Sequence, residues 1–248
     1  MYAPGLFPTT RAKPARFPAI GPVSLAGIFD GRHLETVEAG EAVFWQADQA
    51  TNVFQVVEGC LRLYRVLPDG RRAITGFAFA GGVLGISLHD RHDYTAEAVT
   101  AVRVRRMGRG AFHSAVDSSA ELRPQLLALI FDEMSAAQDQ MVTLGCKNAD
   151  ERVASFLVTT ARRTGADLGF PVEVELPMSR LDIAHFLGLT IETVSRTFSK
   201  LKRDGLISLQ GHRTVRLLRM RRLVELAGDI DGDEDAADGC IYRCARAA

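Results

Sequence analysis

The chain has 248 residues, 47% of them apolar, which is enough to build the cores of two ordinary domains and excludes a chain disordered throughout. Its 30 basic and 30 acidic residues give a net charge of zero, so any argument for a charged partner has to be local. The longest apolar run, Leu126–Phe131, is far shorter than a membrane-spanning helix, and the N-terminus lacks the pattern of a signal peptide. We therefore expect a cytoplasmic protein with no membrane partner.

Both ends of the chain are predicted to lie outside the folded domains. Residues 1–22 contain prolines at close intervals, which disfavour helix and strand alike, so a flexible arm is expected there. Residues 228–248 carry a run of acidic side chains and few large apolar ones, which is typical of a disordered tail.

Residues 23–118 have the pattern of a β domain. Short runs rich in Val, Phe, Leu and Ala alternate with closely spaced glycine turns, which favours short strands in a sandwich or roll. Asp69-Gly70 stands between two such runs and predicts a hairpin. From Ala96 to Arg105 apolar and charged residues alternate, which predicts a half-buried strand with Glu97 on its polar side.

Residues 119–146 have the apolar spacing of one long helix. Such a helix is too long to be covered by one small domain, and burial against a second copy of itself would cover its apolar side most economically. We therefore predict a homodimer; the alternative is a helix lying across its own β domain. The predicted dimer seam consists of Leu122, Leu126, Leu129, Ala137, Met141 and Leu144.

Residues 147–227 have the pattern of a winged helix-turn-helix domain. A short helix from Arg180 stops at Gly188, which is free to adopt the positive φ of a tight turn, and Thr190 can cap a second helix. Two short apolar segments separated by Gly211 follow and predict a hairpin, the wing. The alternative is a solvated helical face beside an ordinary hairpin.

The outer face of the second predicted helix carries Glu192, Ser195 and Arg196, here called the reading triad. A carboxylate can accept from cytosine, a hydroxyl can bond a base or phosphate, and a guanidinium can pair with guanine through two bonds. From Ser179 to Arg222, ten basic residues against three acidic ones leave an excess of seven positive charges, which indicates a phosphate-binding surface. The predicted DNA phosphate contacts are Ser179, Arg180, Thr190, Thr193, Lys200, Lys202 and Arg213.

The order of these segments, with the stretches 147–156 and 176–196, resembles the CRP/FNR family of bacterial transcription regulators. The resemblance implies an α+β fold with an N-terminal cyclic-nucleotide-binding-like β roll, a long dimerisation helix and a C-terminal winged helix-turn-helix. It also implies a homodimer whose partners are double-stranded DNA and RNA polymerase. The triad is that of the FNR and FixK branches, which implies two-fold operators with TTGAT-type half-sites: Arg196 would read guanine, Glu192 cytosine and Ser195 thymine.

The resemblance also indicates what the β domain lacks. The cyclic-nucleotide branch binds its ligand with Gly-Glu-Leu and Arg-Ser-Ala motifs, whereas this chain has Gly82-Val83-Leu84-Gly85 and Tyr94-Thr95-Ala96. The N-terminal cysteines that hold the iron-sulfur cluster of FNR are absent, so no cofactor and no metal are expected. FixK regulators share the triad and lack those cysteines, which implies an activator of microaerobic respiration or nitrogen-fixation genes. A ligand-gated regulator with an unnamed effector is the alternative.

An enzyme is the alternative from another class of protein. His89, His92 and Glu97 loosely resemble the ligands of a cupin metal site, but the three-residue separation of the histidines would point them to opposite faces of a strand. A solvated polar loop is expected instead, and no enzymatic activity.

The four cysteines are too few and too scattered for a disulfide framework, so reduced thiols are expected. Cys60 and Cys146 are expected to pack as small apolar residues. A redox or metal-binding role of Cys146, Cys240 and Cys244 is left open.

Overall fold

A computed structural model describes residues 24–87, 89–163, 171–211 and 213–228. The predicted arm, residues 1–22, and residues 229–248 of the predicted tail lie outside the described residues. The β roll and the winged helix are both present, so the expected α+β fold is confirmed.

The β roll contains eight strands: β1 (Leu34–Val37), β2 (Ala42–Phe44), β3 (Asn52–Glu58), β4 (Cys60–Val66), β5 (Arg72–Phe79), β6 (Val83–Leu84), β7 (Thr95–Ala98) and β8 (Val102–Gly108). They form two antiparallel four-stranded sheets, with strand orders β1-β8-β3-β6 and β2-β7-β4-β5. The inner faces of the two sheets, which include Phe44, Val56, Leu61 and Val104, share one apolar cluster.

The hairpin predicted at Asp69-Gly70 is confirmed as the β4–β5 pair, in which Val66 lies opposite Arg72. The half-buried strand is confirmed for β8, where Val102 and Val104 are buried and Arg103 is exposed. It is wrong for β7, whose four residues are all buried. The winged helix packs against the outer face of the sheet that contains β7, where Arg62 links the buried Glu97 to Asp182.

Two helices follow the roll, α1 (Arg109–Ser118) and α2 (Leu122–Cys146). Leu122 is only 2% exposed and packs with Phe112 and Val116 in a cluster of its own chain, so its place in the predicted dimer seam is wrong. Leu126 and Leu129 are partly buried against the same cluster. The first turns of α2 therefore lie on the β domain, as the alternative reading expected, and only the later turns project beyond it.

The remaining elements build the winged helix: α3 (Ala149–Arg163), β9 (Val172–Glu175), α4 (Arg180–Leu187), α5 (Ile191–Arg203), β10 (Ile207–Gln210), β11 (Thr214–Leu217) and α6 (Met220–Leu226). Its three strands form one sheet in the order β10-β11-β9. The predicted wing hairpin is confirmed as β10 and β11. The apolar core of this part continues into the roll through Cys60, Tyr64, Ile74 and Phe77.

Candidate DNA-binding interface

The turn between α4 and α5 has the predicted form. Ser179 caps α4, accepting a hydrogen bond from the Asp182 amide at 3.1 Å, while the Asp182 carboxylate accepts from the Ser179 amide at 3.0 Å. Gly188 ends α4 with φ of 61°, a conformation that strains other residues. The Thr190 hydroxyl accepts from the Thr193 amide at 3.2 Å and so caps α5.

Helix α5 divides into a buried and an exposed side. Its apolar side packs inward through Val194, Phe198 and Leu201, whereas Ile191, which the spacing places on the same side, is 39% exposed at the first turn. The reading triad lies entirely on the exposed side. Within the described part of the chain, none of its three side chains has a hydrogen bond or ion pair, so all three are available to a ligand.

The predicted phosphate contacts differ in whether their side chains already have partners within the protein. Lys202 and Arg213 are exposed and make no ion pair with any residue that the structure describes. Lys200 instead bonds the carboxylate of Asp150, which raises the pKa of Lys200 and neutralises part of its charge. The hydroxyls of Thr190 and Thr193 lie 3.0 Å apart at the start of α5.

Ser179, Arg180 and Arg213 line one cleft between the winged helix and the roll, together with Arg62 of β4. The Arg180 guanidinium lies 3.5 Å from the ring centroid of Phe198, and burial lowers the pKa of Arg180. The Ser179 hydroxyl donates to the Asp182 carboxylate at 2.7 Å. Both residues are therefore already held in place by the protein.

Arg152 of α3 is a residue that the sequence reasoning missed. Its guanidinium donates to the carbonyl oxygens of Leu144 at 2.8 Å, Lys147 at 2.8 Å and Leu187 at 2.9 Å. These carbonyls belong to the end of α2, the connection to α3 and the end of α4. The signal that could have found Arg152 is its position beside the buried Val153 and Ala154, inside the stretch 147–156.

The cyclic-nucleotide-like end of the roll does not fit a ribose phosphate. Val83 and Leu84 form the buried strand β6 where the cyclic-nucleotide branch would have its acid. The ring of Phe44 stacks on His92, with centroids 3.8 Å apart, and also lies 5.4 Å from the ring of Tyr94. Aromatic packing replaces a polar ligand set at these positions.

The cupin-like residues are not brought together. His89 is exposed, His92 is buried against Phe44, and Glu97 is ion-paired with Arg62. The expected solvated loop is therefore wrong for His92, because its ring completes the aromatic packing. Among the described residues, no group of three or more His, Cys, Asp and Glu side chains is arranged to hold a metal ion.

Of the cysteines, Cys60 is buried as expected, and burial raises the pKa of its thiol to about 12. Cys146 is exposed at the end of α2, so the expectation that it packs as a small apolar residue is wrong. Cys240 and Cys244 lie outside the described residues.

Comparison with known proteins places this geometry in a family. Residues 34–119 match the cyclic nucleotide-binding domain, and residues 151–226 match the Crp-like helix-turn-helix domain. The chain is 46% identical to the nitrogen fixation regulation protein FixK of Bradyrhizobium diazoefficiens over 189 residues, which cover 76% of this chain and 79% of that protein. The chain belongs to the CRP/FNR family. It is accordingly a DNA-binding transcription regulator, and the resemblance inferred from its motifs is confirmed.

Two further relatives of this CRP/FNR regulator support the assignment. It is 44% identical to the transcriptional activatory protein AadR of Rhodopseudomonas palustris, over 75% of this chain and 78% of that protein. The structure of FixK2 from Bradyrhizobium japonicum superposes with a TM-score of 0.73 at 36% identity, covering 79% of this chain and 96% of that chain. In the part of the chain that the structure describes, no helix is both long and apolar enough to span a bilayer.

Proposed function

We propose that the protein is a homodimeric transcription activator that binds two-fold operators with TTGAT-type half-sites and acts with RNA polymerase on genes of microaerobic respiration or nitrogen fixation. The relatives named as FixK regulators and as the activator AadR support this role. An enzymatic function forms no part of the proposal, since those relatives are regulators of transcription.

The reading triad is the observation that carries the proposal. Glu192, Ser195 and Arg196 lie in the first two turns of α5, exposed and without partners among the described residues. The N-terminal turns of a recognition helix are those that enter the major groove. There Arg196 pairs with guanine, Glu192 accepts from the amino group of cytosine, and Ser195 contacts thymine.

The cations around the triad supply the part of the DNA affinity that does not depend on base sequence. Lys202 near the end of α5 and Arg213 at the wing are exposed, and both are unpaired within the described residues. Phosphate contacts from such side chains position a protein on DNA and make its affinity depend on salt. We assign Lys200 a smaller share, because Asp150 already holds its ammonium group.

The later turns of α2 support the homodimer. Leu127, Ile130, Met134, Met141 and Leu144 are all exposed, at 40–66% of their surface. With Ala137 they are spaced alternately by three and four residues, the spacing of a helix that packs against another helix. We propose this α2 apolar face as the dimer contact, in place of the seam that began at Leu122.

The test is a titration of a fluorescent duplex that carries two TTGAT-type half-sites, against a duplex of the same composition in permuted order. Arg196→Ala should cost about 1–3 kcal/mol on the operator and little on the permuted duplex. Lys202→Ala should weaken both duplexes similarly. If Arg196→Ala and Lys202→Ala lost equal affinity for both duplexes, the assigned roles would be contradicted.

A further inference from the structure

The winged helix is docked on the β roll through α4. The ring of Phe186 in α4 meets the rings of Phe77 in β5 and Phe156 in α3 edge-on, with centroids 5.5 and 5.9 Å away. The Gln140 side-chain amide of α2 donates to the Phe186 carbonyl at 2.7 Å. Helix α4 therefore contacts the roll, α2 and α3 at once.

Arg62 of β4 joins the two parts of the chain at the opposite end of α4. One of its amino groups donates to Asp182 of α4 at 3.0 Å, and the other bonds Glu97 of β7. Glu97 also accepts from the Tyr64 hydroxyl at 2.8 Å and from Arg72 at 3.3 Å. Contacts within the roll thus hold the Arg62 guanidinium in the position from which it bonds Asp182.

Burial makes this contact costly to break from one side. The side chains of Glu97 and Asp182 are 5% and 10% exposed, and that of Arg62 is 22% exposed. A carboxylate buried without a cation is costly, so Asp182 favours the arrangement in which Arg62 faces it. Because Asp182 also closes the capping box with Ser179, the contact fixes the N-terminal end of α4.

The orientation of α4 determines where the reading triad points. Helix α5 follows α4 through the tight turn at Gly188, and Arg152 holds the other end of α4 to α2. In a two-fold dimer the separation of the two recognition helices sets the spacing of the half-sites. A residue that fixes α4 on the roll therefore fixes that separation.

We propose that Arg62 is a positioning residue, and that its bridge to Asp182 sets the half-site spacing that the dimer accepts. The inference rests on the proposed two-fold operator. It concerns a residue of the β roll that touches no DNA base and acts through Asp182 and α4. Without the bridge, each winged helix gains freedom on its roll, and operators of the wrong spacing become acceptable.

The experiment compares full-length wild type with Arg62→Gln on operators whose half-site separation changes in steps of one base pair. Wild type should prefer one spacing, and Arg62→Gln should lower that preference about tenfold, within the range measured for coupled pairs. The preference of Arg196 for its guanine should stay unchanged. Arg65→Gln is the matched control, since Arg65 lies on the same strand, exposed and unpaired among the described residues.

A second variant separates positioning from damage to the fold. Asp182→Asn keeps a side-chain oxygen for the cap but loses the charge, and should reproduce the loosened spacing. The double variant, Arg62→Gln with Asp182→Asn, should lose no more of the spacing preference than either single variant does. An unchanged spacing preference in both single variants would overturn the role of Arg62. If wild type and Arg65→Gln themselves preferred no two-fold site, the proposed function would fail, and the inference with it.

Discussion

The guanidinium of Arg152 donates to the carbonyl oxygen of Leu187 at 2.9 Å, and so holds the last residue of α4 to the first turn of α3. The same group reaches Leu144 at the end of α2. Arg152 therefore joins the helix proposed to form the dimer to the helix-turn-helix, in addition to the hydrogen bond from Gln140 to Phe186. Carbonyl groups at helix ends lack helical partners, and Arg152 satisfies them with charge-assisted bonds.

We expect Arg152→Gln to lower the free energy of unfolding by about 1.5–3 kcal/mol, the range for hydrogen bonds to a charged group. Operator affinity should fall as well, because α4 loses its fixed position. Urea unfolding followed by circular dichroism measures the first effect, and the duplex titration measures the second. Arg152→Lys keeps the charge without the forked geometry and should fall between wild type and Gln.

The control is Arg32→Gln, an exposed arginine whose side chain bonds no residue that the structure describes. Its stability and affinity should match wild type. A similar loss in Arg32→Gln and Arg152→Gln would show that the loss of positive charge, and not the hydrogen bonds at the α2–α3–α4 junction, causes the effect.

Met134→Glu combined with Met141→Glu should give a folded monomer. Both side chains are exposed on the α2 apolar face, at 48% and 66%, so their replacement leaves the core of the chain intact but buries charge in the dimer contact. Light scattering reports the mass, and circular dichroism reports the fold. Ala136→Glu, which adds a charge on the opposite side of α2, should remain a dimer.

Leu122→Glu should behave differently, because Leu122 belongs to the core beneath α1. That variant should lose about 3 kcal/mol or more of stability, as large core substitutions do.

A dimer that survives Met134→Glu and Met141→Glu together would refute the α2 apolar face as the contact.

Local signals explain why much of this structure could be predicted from the sequence. Gly188 and Thr190 define the end of one helix and the start of the next, and the resulting turn follows from short-range chemistry. The burial of Glu97 and Leu122 could not be predicted from local signals, because it depends on segments that pack on them from elsewhere in the chain. The position of Arg152 beside the buried Val153 and Ala154 marks it as a residue at a packed surface, but residue spacing alone does not show which backbone carbonyls it contacts.

His92 should make the stability of the protein depend on pH. Burial lowers the pKa of His92 below its usual value, so in acid the unfolded chain binds a proton that the folded chain resists. The stabilisation is complete above about pH 6.5, the ordinary pKa of histidine, and is lost as the pH falls below it. Urea unfolding at pH 7.5 and 5.5 measures the difference.

His92→Phe retains a ring against Phe44 and should show a smaller loss between the two pH values than wild type. His89→Gln, at an exposed position three residues earlier, should retain the wild-type dependence. An identical pH dependence in wild type and His92→Phe would exclude His92 as its source.

Selection of binding sites from a random duplex pool, followed by sequencing, tests the reading of DNA by the triad most directly. Wild type should enrich two-fold sites with TTGAT-type half-sites. Arg196→Ala should enrich the same sites with the guanine position relaxed to any base, because the removed guanidinium supplied that discrimination. Enrichment of no common motif by wild type, or of an unchanged guanine by Arg196→Ala, would contradict the account.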